Sequence, residues 1–221
     1  MPGGVPVPRG RQPGGVPVPR GVPTTLADLR AMRRAELHAV MCQGHPLDLD
    51  ALANTAYRGL DLSLPGFMHR LLWETFEKTF VRDASAPYGL RGWNVRIQQT
   101  GLDGPIVPLR TRDGRPRTFG HYVVCPTDGR RFPLGWKGAH FLDYRCAGNT
   151  FFDPARPATA PLVAVNAGDM SLLLGWEIVN VGPLQIPLPD YWALVCEGPL
   201  DPSEIAPVPR PAATRKQLPG A

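Results

Sequence analysis

The stretch that decides the fold runs from Ala56 to Gln99: AYRGLDLSL (56–64), PGFMHRLLWETFEKTF (65–80) and, after a turn, GWNVRIQQ (92–99). In the first segment Leu60, Leu62 and Leu64 alternate with Asp61 and Ser63. In the last, Trp93, Val95 and Ile97 alternate with Asn94, Arg96 and Gln98. Alternation at period two marks a strand with one buried and one wet face. The middle segment changes period. Phe67, Leu71 or Leu72, Phe76 and Phe80 recur every four or five residues, and Arg70, Glu74, Glu77 and Lys78 fall mostly off that stripe. This spacing predicts an amphipathic helix over 66–80. Pro65 opens it, Glu74 and Lys78 support it as an acid-first pair four apart, and the segment from Asp83 to Gly89 ends it. A helix this apolar buries its stripe on the sheet to which the flanking strands belong.

Beyond Gln99 the chain reads as strand and turn. TFGHYVVC (118–125), AHFLDYRC (139–146), PLVAVNAG (161–168), MSLLLGWEIVNV (170–181) and DYWALVCE (190–197) are predicted strands. Asp128-Gly129 and the segment from Asn166 to Asp169 supply turns, and RRFPLGW suits a short edge strand. Pro183, Pro187 and Pro189 argue against a central strand in PLQIPLP. Short strands in series with no helix between them predict an antiparallel meander, closed or nearly closed as a barrel. Ahead of the barrel, residues 24–46 carry helical spacing from Leu26 to Met41, with Thr25 and Asp28 as a loose capping box. Asp48 or Asp50 caps a short third helical piece ending near Asn54.

The ends differ from the body. Residues 2–10, PGGVPVPRG, recur letter for letter at 13–21. Two copies are too few for a solenoid, and Pro, Gly and Val offer too little apolar bulk to offset chain entropy. The expected organisation is a disordered tail over 1–23, one globular domain over 24–200 and a second disordered tail over 201–221. The net charge of +5 belongs to the ends: residues 1–23 and 207–221 hold three cations each and no acid, so the chain between them is one unit negative. No basic stripe is left for nucleic acid. No apolar run reaches membrane-spanning length, and no secretory signal is visible. Four scattered cysteines then read as reduced thiols in a cytoplasm.

A resemblance can be placed on particular residues. Tyr57-Arg58-Gly59 early in the fold, a following helix, a string of antiparallel strands and the closing pair LLLGW (172–176) and PLPDYWALV (187–195) resemble lipocalin-like, or calycin, barrels. The likeness covers about Ala56 to Gly198. The chain also has the general look of some bacterial domains to which no activity attaches. The lipocalin resemblance implies a barrel that holds a small apolar ligand inside.

Several chemistries find little support. His121, Cys125, His140 and Cys146 are a metal-like set, but residues four apart on a straight strand stand about 13 Å apart, too far to share one zinc. No cysteine opens a helix, where its thiolate would be stabilised. No G-x-S-x-G, P-loop or dinucleotide fingerprint occurs. What remains is aromatic residues with a few polar anchors on predicted strands, the usual makeup of a small-molecule pocket. Tyr57, Trp93, His121, Tyr122, Tyr144, Trp176 and Trp192 are the candidate ligand-binding residues. Arg96 and Glu177 read as an outer, solvated pair.

The fold expected is therefore α+β and mainly β, an antiparallel barrel-like sheet with N-terminal helices and one helix after the first strand. The function expected is non-catalytic binding of a small, mainly apolar molecule, with no cofactor or metal implied. An acid/base enzyme on the same barrel, using His121 with Asp143 or Glu177, is the alternative. An interaction module tethered by Pro-rich tails is the third reading.

Overall fold

The structure, a computed structural model, describes residues 22–63, 74–101 and 104–209. Among these, eight antiparallel strands close into a barrel in simple sequence order. They are β1 (Thr55–Asp61), β2 (Thr75–Arg82), β3 (Leu90–Val95), β4 (Thr118–Pro126), β5 (His140–Asp143), β6 (Ala158–Asn166), β7 (Asp169–Val181) and β8 (Leu184–Pro199). β1 pairs with β2 on one side and β8 on the other, which removes both sheet edges over the shared register. The closed eight-stranded barrel is compatible with a calycin-like fold. No helix among the described residues is long and apolar enough to cross a membrane.

Alternation along each strand divides the buried residues into an interior and two outer layers. Tyr57, Phe80, Tyr122, Leu142, Tyr144, Leu173, Trp192 and Leu194 point inward. On one outer side, Val123, Phe141, Val163, Leu174 and Trp176 pack under Leu29, Leu37 and Met41 of α1 (Leu26–Ala31) and α2 (Arg34–Gln43). On the other, Val81, Trp93 and Val95 lie under Leu200 and Ala206. The capping box is present: the Thr25 hydroxyl accepts from the Asp28 N–H, and the Asp28 carboxylate accepts from the Thr25 N–H. α3 (Leu49–Leu52), capped by Asp48, stands at the barrel end where β1 begins. There Leu47 and Leu52 join the interior cluster as a plug.

Two expectations of local structure change. Residues 75–80 are not helical: they belong to β2, a strand rich in Thr, Phe and Val. The rest of the expected helix, up to residue 73, lies outside the described residues. A spacing of four is common to both structures, because residues 76 and 80 share a helix stripe and also a strand face. The choice moves Lys78, which lies off the apolar stripe of a helix but falls between Phe76 and Phe80 on the inward face of the strand. Residues 184–189 are paired along β7, with Ile178 opposite Pro187 and Val181 opposite Leu184, and form an edge, not a central strand. The prolines are tolerated because β1 meets β8 only from Trp192 onward, so the other side of this arm has no ladder to supply. The short edge strand expected around RRFPLGW is instead a 3-10 turn at Pro133–Gly135.

Residues 202–206 pack against the barrel. Pro202–Glu204 form a 3-10 turn, Ala206 is buried, Glu204 pairs with Arg110, and the Arg91 guanidinium donates to the Ala206 carbonyl. The repeated PGGVPVPRG copies and residues 210–221 lie outside the described residues.

Candidate functional site

The two ends of the interior are built differently. At the α3 end the side chains meet: the Tyr57 hydroxyl donates to the Met170 carbonyl at 2.9 Å, and the Tyr57 and Phe80 rings touch edge to face at 5.5 Å. At the other end the strands of Phe76, Asn94, Glu177 and Trp192 leave a cavity of about 270 Å³. Lys78 and Tyr144 line its inner part; Asp61 and Asp190 line it as well.

Three glycines make room for the rings in this wall. Gly59 stands directly opposite Phe76, Gly92 opposite Tyr122 and Gly175 opposite Trp192. A Cβ on Gly175 would lie 2.1 Å from the Trp192 ring, and one on Gly59 would lie 2.3 Å from the Phe76 ring. Each ring lies over its glycine, where a facing side chain would otherwise stand.

Lys78 is the unusual member. It is 1% exposed. Its Nζ donates to Asn94 Oδ1 at 2.7 Å and to the Tyr144 hydroxyl at 2.9 Å. Asn94 is held by its own amide, which donates to the Gly120 carbonyl. The Nζ also lies 4.5 Å from the Tyr122 ring centre, 4.8 Å from Trp192, 5.3 Å from Tyr144 and 5.7 Å from Phe76. Burial pushes the ammonium well below the ordinary lysine value, and the Glu177 charge pulls it partly back. Glu177 is its counterpart. Burial first, then Asp190, pushes its carboxyl up, while Lys78 and the Trp192 indole oppose that shift. Asp190 is pushed up to about 6 by burial and by Asp61. Lys78, Glu177 and Asp190 are each shifted toward the neutral form.

The seven expected site residues divide between the two faces of the wall. Tyr57, Tyr122, Tyr144 and Trp192 are inside, and of these Tyr144 and Trp192 line the cavity while Tyr57 belongs to the packed end. Trp93, His121 and Trp176 are not inside. Trp176 faces outward, stacks on Tyr191 at 5.9 Å and donates to the Leu188 carbonyl; the His38 ring meets its edge, tying α2 to the barrel. Trp93 is buried beneath the C-terminal segment. The reason is register: each of the three is one residue out of phase with an inward position on its own strand.

His121 lines a separate cavity of about 240 Å³ in the outer wall, with Arg91, Cys146 and Pro209 among its neighbours and no carboxylate among the described residues that line it. Burial and Arg91 push its imidazole down to about 4, and burial pushes the Cys146 thiol up to about 11. Asp143 is gripped by Arg145 through two contacts, at 3.0 and 2.8 Å, and Glu177 is on the opposite side of the wall. The expected pairing of His121 with either carboxylate therefore does not form. Glu177 is likewise not the outer partner of Arg96. Among the described residues no group of three or more His, Cys, Asp or Glu side chains is placed to hold a metal, and the four cysteines are free thiols.

No known protein family, curated protein or solved structure matches this chain. The site is therefore read from its own geometry.

Proposed function

We propose that the protein is a small-molecule-binding barrel and that the cavity beside Lys78 is its binding site. One observation carries this reading: among the described residues the interior is filled with side chains at the α3 end and holds a cavity at the other, where rings alternate with polar anchors. Core packing alone favours filling both ends, since voids forfeit dispersion contacts. Aromatic walls with few, well-placed polar groups suit a ligand with a flat apolar body and one polar end. The reading is non-catalytic binding of a mainly apolar molecule, in keeping with the layout shared with lipocalin-like barrels.

The test uses Trp192, whose ring forms part of the wall. Titration of the full chain with a panel of neutral aromatic and short aliphatic compounds is expected to quench tryptophan fluorescence and raise the melting temperature by mass action. Gly175→Ala, which pushes a methyl into the Trp192 ring, is expected to weaken the same binders at least tenfold. A panel with no binder, or binders indifferent to Gly175→Ala and to Trp192→Phe, would overturn the assignment.

A second reading, an interaction module, has one observation of its own. Phe151 and Phe152 are 79% and 91% exposed on the connection from β5 to β6. Paired exposed rings are unusual on a monomer surface. Phe151→Ser with Phe152→Ser is expected to leave ligand binding unchanged and to abolish any self-association seen by analytical ultracentrifugation.

A further inference from the structure

We propose that the Lys78 amine captures a small neutral aldehyde or ketone as an imine inside the barrel, with Glu177 supplying the proton for the departing water. The inference rests on the cavity being a ligand site and names the class of ligand.

The direct partners of Nζ come first. A lysine kept in a protein interior for its charge is expected to meet a carboxylate. Both hydrogen-bond partners of Lys78 are neutral, an amide oxygen and a phenol. A neutral amine has two N–H bonds and one lone pair. Asn94 Oδ1 and the Tyr144 oxygen accept the two N–H bonds, so the lone pair takes the remaining tetrahedral position. Lys78 lines the cavity, so that lone pair is available to a molecule held there. The lowered proton affinity of the buried ammonium raises the fraction of amine in this form near neutrality.

The chemistry closes without an added oxidant or reductant. The Nζ lone pair forms a bond to the carbonyl carbon as the carbonyl π pair moves to oxygen. A proton passes from nitrogen to that oxygen and gives the carbinolamine. The carboxylic acid form of Glu177, which lines the same cavity, then protonates the hydroxyl, and the C–O bond breaks. Water leaves, the nitrogen lone pair forms the C=N bond, and an iminium cation stands beside the Glu177 carboxylate. The four ring faces around Nζ, at 4.5–5.7 Å, stabilise that cation as they stabilise an ammonium. The carboxyl groups of Asp61, Glu177 and Asp190 set the specificity. They disfavour a ligand with its own carboxylate or phosphate and admit a neutral carbonyl compound with a flat apolar body.

The sequence makes the test readable, because Lys78, Lys137 and Lys216 are its lysines. The full chain is incubated at pH 7.5 with cinnamaldehyde and sodium cyanoborohydride, which reduces an imine to a stable secondary amine. Peptide mapping by mass spectrometry then gives the rate at each lysine. The expected result is an adduct on Lys78 that forms at least ten times faster than on Lys137 or Lys216. Cinnamyl alcohol, which has the same body without the carbonyl, is expected to bind reversibly and slow the Lys78 adduct. Lys78→Met, checked for folding by circular dichroism, is expected to lose the fast adduct while Lys137 and Lys216 are labelled at their wild-type rates. Should that variant fail to fold, the wild-type map decides alone. Equal labelling of the three lysines, with the alcohol still bound and quenching Trp192, would overturn imine capture and leave the binding site standing. No binding by either compound together with no preference for Lys78 would overturn both.

Discussion

The two ends of the barrel interior are made by the same strands and obey different rules. β2 shows this within five residues. Phe80, at the α3 end, is fully buried among Tyr57 and Tyr122, whereas Phe76, at the open end, is half-buried against Trp192 and the cavity. Lys78 lies between them. One end resembles an ordinary core, in which volume is filled and polar tips are satisfied. The other lines a cavity with four ionisable groups among the described residues, Lys78, Asp61, Glu177 and Asp190. Strand alternation decides only which residues face inward. The chemistry of those residues decides which end stabilises the fold and which end is kept for a ligand.

The largest test of this contrast is truncation on each side. Phe80→Ala is expected to cost about 3–5 kcal/mol, as for a large buried aromatic replaced by a cavity. Phe76→Ala is expected to cost about 1–2 kcal/mol, because its ring already borders open space and Gly59 opposite it leaves room to relax. Urea unfolding of the two variants measures both; equal costs would mean that the two ends are packed alike.

Carboxylates sharpen the same contrast by about 1 kcal/mol each, after discounting for solvent screening. Asp83, in the turn at the α3 end, is held down to about 2 by hydrogen bonds from Ser85 and Arg91. Its stabilisation is full above the ordinary carboxylate value and is lost as pH falls through about 2. Asp190, at the open end, is pushed up to about 6. The folded state therefore binds the extra proton between about 4 and 6, and stability falls as pH rises through that window. Asp83→Asn is expected to lower the melting temperature at pH 7, with the difference shrinking toward pH 2. Asp190→Asn is expected to raise it at pH 7 and to change nothing at pH 3.5. Thermal melts across pH, read for both variants, would break the contrast if the two curves shared one sign.

The smallest expected effect is outside the barrel. Thr25→Ala removes the cap of α1 and is expected to cost about 0.5–1 kcal/mol in chemical unfolding, with no change in ligand affinity.

The barrel was legible from the sequence because β3 to β8 are short runs of strand-forming residues in series, with glycine, asparagine and aspartate turns and, among the described residues, no α-helix between them. The half of the site that could be read, Tyr144 and Trp192, was read as aromatic residues on such strands. Lys78 was not, because the four-residue spacing of Phe76 and Phe80 satisfies helix and strand alike, and the helical choice put the lysine in solvent. The threonines at 75 and 79 are the signal that favours the strand. Glu177 was read as solvated because a charged residue on a strand usually is; its inward phase depends on the register fixed by Gly175 and Trp192. Trp93 and Trp176 illustrate the converse. Large rings were expected inside, yet the outer wall is itself covered, by α2 on one side and by residues 200–206 on the other, and has apolar surface of its own to bury.

The glycine–ring pairs have a consequence for how this protein can change. Gly175 and Trp192 occupy one volume between them, as do Gly59 with Phe76 and Gly92 with Tyr122. Neither member can be exchanged freely while the other stays, so each pair is a single inherited unit. A descendant that places alanine at 175 must carry a smaller ring at 192, and one that shrinks Trp192 first gains both a wider mouth and the freedom to refill it from the neighbouring strand. Selectivity in this barrel is thus expected to drift in paired steps across adjacent strands, with the wall position of the ring changing while the backbone stays where it is.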